Sequence, residues 1–144
     1  MRDDDTIDAF NKLLRGEIAA VETYRIALER VKDAARKKVL RENLVSHERR
    51  VGVLRAEILR QGGEPSAGSG LWGAFARIYQ GGAGWFGEDA AIDALENGEE
   101  QGCRDQDAIA EVLDLVARQF LDAALAPEQE RTRRAIAGLQ KVQV

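Results

Sequence analysis

One misfit in a heptad stripe constrains this chain more than any other feature. Counted through the stretch LLRGEIAAVETY at 13–24 and its flanks, the inward positions are Ile7, Phe10, Leu14, Glu17, Val21, Tyr24, Leu28 and Val31. That spacing predicts an amphipathic helix, and every position on it except Glu17 is apolar or aromatic. A lone ionised carboxylate in an apolar seam is costly unless it is paired, hydrogen-bonded or bound to a metal. What Glu17 faces is therefore the central question.

The helix is predicted to start at Asp5 or Thr6, either of which can cap it, and to run to about Lys32. Gly16 inside it costs about 1 kcal/mol relative to Ala, a loss that close packing of a neighbouring helix would explain. A second helix is predicted from Asp33 to about Gln61, closed by Gly62-Gly63 with Pro65 beyond. Its seam is Leu40, Leu44, His47, Val51, Leu54 and Ile58, again with one polar residue at its centre. The short connection predicts antiparallel packing. With the turn near residue 33, Glu17 and His47 should meet at the same height on facing seams.

The stretch from Glu64 to Ala90 holds both tryptophans, Trp72 and Trp85, and is long for a simple loop. It is predicted to be a crossover with a short helix over 71–80. A third helix is predicted from Glu88 to about Val112, with Ile92, Leu95, Glu99, Gly102, Gln106 and Ile109 as its seam. If it lies parallel to the second helix, Glu99 reaches the depth of His47, with Glu96 one turn earlier. A final helix is predicted from a turn near 113–115, capped by Asp114, to about Lys141, kinked at Pro127. Its apolar face would be Val116, Phe120, Ala123 and Ala124. Reflecting Glu99 through the turn at Asp114 points to Glu128–Glu130 for a fourth inward carboxylate.

Composition narrows the function classes. A chain of 144 residues that is 44% hydrophobic and 32% charged is expected to form one helix-rich domain over 1–144. A net charge of −4 argues against nucleic acid as a partner. The single cysteine, Cys103, rules out an intramolecular disulfide or thiolate metal cluster, and the single histidine rules out a site needing several imidazoles. The opening MRDDDTIDAF lacks the apolar core of a signal peptide, and no apolar run reaches the roughly 20 residues that span a bilayer. The expected location is the cytoplasm of a bacterium-like cell.

The spacing Glu17-x-x-Ala20-x-x-x-Tyr24 resembles the first helix of ferritin-like and rubrerythrin-like proteins, and Glu96-x-x-Glu99 is similar to their third-helix carboxylate pair. With SHERRVGVLRAEILRQGGEPSAGSGLWGAFA and ALENGEEQG, the chain looks like the bacterial ferritin-like family whose domain is catalogued as of unknown function. The resemblance implies an all-α, antiparallel four-helix bundle with a long crossover between helices 2 and 3. It also implies a di-iron or di-manganese site with one Glu from each of two helices and Glu-x-x-His from each of the others. Glu17, Glu99 (or Glu96), His47 and Glu128 match ligand positions. Leu44 and Arg131 stand where a further Glu and His are expected, which leaves at most a single iron, manganese or zinc ion.

Three functions remain open at this stage. One is a binding or structural protein, with a stress role faintly suggested by the resemblance, in which Glu17 and His47 form a polar network. The second is a metal-dependent oxidoreductase handling iron or peroxide at Glu17, His47, Glu96 and Glu99. The third is a helical interaction module using Trp72–Phe86, with a homo-oligomer among its possible states. The basic residues around the first turn, from Arg30 to Arg41, read as a solvated end, and Cys103 as a small core residue.

Overall fold

The computed structural model describes residues 3–69 and 87–141, and every regular element among them is a helix. These are α1 (Asp3–Arg30), α2 (Ala34–Arg60), α3 (Gly87–Val112), α4 (Leu115–Ala124) and α5 (Ala126–Lys141). None is long and apolar enough to cross a membrane. The predicted short helix at 71–80 and both tryptophans lie outside the described residues.

Local chemistry fixes the helix ends. Asp33 caps α2 by accepting a hydrogen bond from the Arg36 amide, and Asp114 caps α4 by accepting from Ala117. The α2 terminus is a Schellman turn: Gly63 N–H donates to Ile58 O and Gly62 N–H to Leu59 O, with Gly62 at φ +83°. The corner between α1 and α2 is held from α3, where the Glu88 carboxylate accepts from the Lys32 and Asp33 amides and pairs with Arg36 at 3.0 Å. Arg36 also pairs with Asp89 at 3.1 Å and is buried, so the end expected to be wholly solvated contains one interior cation.

Packing follows from these corners. Tyr24 bonds Asn43 across α1 and α2, and the Gly63 backbone lies against Ile7, so the two helices run antiparallel. Arg36–Glu88 and His47–Glu99 share one sequence offset, which makes α3 parallel to α2. α1 packs on α2 and α3, and α5 packs on α2 and α3, so these four helices enclose a common interior. Two apolar clusters fill it. One gathers Phe10, Leu14, Leu54, Ile58, Ile109, Leu121 and Leu125, and the other Ala27, Val31, Leu40, Ile92, Leu95 and Ile136.

Two further sequence expectations change. The final helix is not one kinked rod: α4 ends at Ala124 and α5 begins at Ala126, with Pro127 in its first turn. Its buried stripe is Ala117, Leu121, Leu125, Gln129, Thr132 and Ile136, one position along from the expected face, while Val116 is 73% exposed. Gly16 is exposed, and a Cβ there would meet no described atom within 4 Å, so no helix among the described residues packs closely on it.

The two glycines should therefore respond oppositely to alanine. Gly62→Ala forces a side chain into the left-handed region and should cost about 1–2 kcal/mol; Gly16→Ala should stabilise by up to about 1 kcal/mol. Urea denaturation checks both, and equal signs would contradict this backbone geometry.

Candidate functional site

At mid-height the helices bury charge. Glu17 is 7% exposed, His47 2%, Arg50 1% and Glu99 3%. Removing such ions from water costs several kcal/mol each, so each needs partners. The sequence fixes who meets whom. His47 and Arg50 are three apart and share one face of α2; Glu17 faces them from α1, and Glu99 from α3.

The imidazole bridges the two acids. His47 Nδ1 lies 3.2 Å from Glu17 Oε2, and Nε2 lies 2.9 Å from Glu99 Oε2. Arg50 enters beside the ring: its Nη2 is 2.8 and 3.0 Å from the two ring nitrogens, so it lies against the ring rather than along either N–H direction. Arg50 Nη1 donates to Gln129 Oε1 at 2.8 Å and Nη2 to Thr132 Oγ1 at 3.1 Å. Arg50 Nε is 2.9 Å from Glu17 Oε2, an ion pair whose N–H is not aimed at the oxygen. That N–H and Asn43 Oδ1 are buried without a hydrogen bond among the described residues.

Glu99 is fully engaged. Oε2 accepts from the Tyr24 hydroxyl at 2.5 Å as well as facing His47, and Oε1 accepts from Thr132 at 2.8 Å and Gln129 Nε2 at 2.9 Å. Asn43 ties the layer together by donating to Tyr24 Oη and to the Thr132 carbonyl.

These contacts set the charge states. Burial opposes a charged His47, but the Glu17 carboxylate beside it and the bonds to Glu17 and Glu99 outweigh this and raise its pKa above the ordinary 6.5. Burial likewise works against an ionised Glu99, yet bonds to His47, Tyr24 and Thr132 hold its pKa below the ordinary 4.5. Burial, with the charge of Glu99 next to it, pushes the Tyr24 phenol well up, so it remains a donor. Two carboxylates thus face one permanent and one titratable cation.

The site residues expected from sequence divide. Glu17, His47 and Glu99 converge in this layer. Glu96 is half-buried on the flank, outside the bonds just described. Glu128 is also half-buried and turns to Ser46 (2.8 Å) and Arg131 (2.9 Å), because the α5 stripe is shifted by one residue. Its interior neighbours are Gln129 and Thr132. Cys103 is half-buried, and burial raises its thiol pKa. Sequence reading missed Arg50, Asn43, Gln129 and Thr132. The available signal was spacing: Asn43 and Arg50 flank His47 by four and three residues, on the same helix face.

This layer does not fit the metal centre that the resemblance implies. The imidazole's two nitrogens face different carboxylates on opposite sides, and a guanidinium already supplies the positive charge between them. The α5 pair offers an amide and a hydroxyl in place of Glu and His. Among the described residues, no three His, Cys, Asp or Glu side chains are grouped to hold a metal ion.

Beside the layer lies a cavity of about 340 Å³ whose lining includes Leu13, Leu54 and Leu95, the acids Glu17 and Glu99 with His47, and the cations Lys12 and Arg15.

A family model described as Domain of unknown function (DUF2383) matches residues 5–112, well over half of the chain. The match includes Glu17, Tyr24, Asn43, His47, Arg50 and Glu99; Gln129 and Thr132 lie beyond it. No curated protein and no solved structure matches the chain.

Because His47 is the only histidine, its ring protons titrate alone in an NMR experiment. The midpoint should lie above 6.5; one at or below 6.5 would refute the carboxylate sandwich. The linkage has two limbs. Stability contributed by His47 is full below 6.5 and is lost as pH rises through its folded-state value. Stability contributed by Glu99 is present above 4.5 and is lost as pH falls through its folded-state value.

Proposed function

We propose that this chain, which belongs to the family described as Domain of unknown function (DUF2383), is a ferritin-like antiparallel four-helix bundle that works as a binding or structural protein without a dinuclear metal centre. The four mutually packed helices and the parallel course of α2 and α3 support the ferritin-like arrangement. In that superfamily the metal ligands project inward from all four helices at mid-height.

One observation carries the metal-free reading: Arg50 places its guanidinium within 2.9 Å of Glu17 and within 3.0 Å of both His47 nitrogens. A fixed monocation there repels a dication. It also neutralises the acids that would otherwise attract one. With proton and guanidinium as counter-charges, the layer holds the helices together instead of binding a redox ion.

Metal analysis of protein purified without chelator tests this directly. Iron, manganese and zinc should each be far below one equivalent. Glu17→Ala and His47→Ala should each destabilise by about 3–5 kcal/mol, the range for breaking a buried ion pair. Near-stoichiometric metal that disappears in Glu17→Ala would instead establish the oxidoreductase reading.

A further inference from the structure

α2 and α3 carry opposite charge. α2 holds eight Lys or Arg against three acids, and α3 holds nine acids against one arginine. Each of the two packs on both α1 and α5, so they occupy opposite corners of the bundle. Their exposed faces therefore look outward in opposite directions, one basic and one acidic. Pairing within the chain does not account for this separation. Every acid of α2 already has a cation beside it: Glu42 has Lys38, Glu48 has Arg25 and Glu57 has Arg60. Arg41, Arg49 and Arg55 are exposed and pair with no described carboxylate. With the bundle between them and a screening length of about 8 Å in physiological salt, the two faces gain little from one another.

The faces match in height as well as in sign. α2 and α3 run parallel, and residues 52 apart in sequence lie level. Arg41 is thus level with Asp93, and Arg55 with Asp107, all four exposed. The single cation of α3, Arg104, is level with Gly52, where a Cβ would meet no described atom within 4 Å. The one coincidence of like sign, Glu48 level with Glu100, joins two acids already paired with Arg25 and Arg133. These positions recur every three or four residues, so they form one stripe on each helix.

We propose that copies of this chain associate side by side, the basic stripe of α2 on one copy against the acidic stripe of α3 on the next, with the two helices parallel and level. Pairing α2 with α2, or α3 with α3, would oppose like charges, which disfavours a two-fold dimer through either face. The contact is therefore heterologous and repeats from copy to copy. Exposed Leu59 of α2 comes within one residue of the level of exposed Val112, which adds apolar area to the same contact. The association does not depend on what the ion layer holds.

Sedimentation velocity on the full chain tests this. At about 0.05 M salt the weight-average sedimentation coefficient should climb with protein concentration, and the apparent dissociation constant should rise about tenfold by about 0.5 M. Two charge-reversed variants locate the contact. Arg41→Glu with Arg55→Glu puts acids on both stripes, and Asp93→Lys with Asp107→Lys puts cations on both. All four side chains are exposed, so each variant should keep the wild-type melting temperature. Each alone should be monomeric, and an equimolar mixture should associate again. A wild-type chain that stays monomeric at low salt, association indifferent to salt, a variant that still self-associates, or a mixture of folded variants that does not associate would each overturn the proposal.

Discussion

Two carboxylates drawn into the interior set the terms for the rest of this molecule. Neither Glu17 nor Glu99 is tolerable there alone, and the cations that answer them both come from α2. This is why the buried face of α2 includes Asn43, Ser46, His47 and Arg50, while Leu44 and Val51 are only half-buried. The helix turns its polar side inward where the acids are and returns to Leu40, Leu54 and Ile58 on either side. Burial of charge, not hydrophobic periodicity, orients the middle of this helix.

The same layer explains the C-terminal helices. α5 meets the acids and Arg50 with neutral groups, Gln129 and Thr132, which both donate to Glu99 and accept from Arg50. A further carboxylate at either position would unbalance the charge; a further cation would crowd Arg50. Glu128 and Arg131 pair with one another on the flank, where water screens them.

Much of this was legible in the sequence, and the failures have physical causes. The seam of α1, the caps at Asp33 and Asp114, the glycine stop after α2, and the meeting of Glu17, His47 and Glu99 all follow from spacing and turn chemistry. Arg50 did not, because an apolar-seam count discards arginine even when it shares a face with the residue that matters. The register of the last helices was misread because Leu115 and Val116 are large, apolar and exposed; they imitate a core face. The stripe that begins at Ala117 runs in steps of four through Leu121 and Leu125 to Gln129, which leaves Glu128 on the flank.

The ion layer divides the core into an upper and a lower apolar body. Rods packed through hydrocarbon alone can slip past one another by a turn, about 5.4 Å, and still bury grease against grease. Here such a slip would push Arg50 or Glu99 into leucine and leave its counter-charge stranded. The layer thus acts as a tooth in a ratchet: it permits one vertical alignment of the helices and makes every neighbouring one expensive.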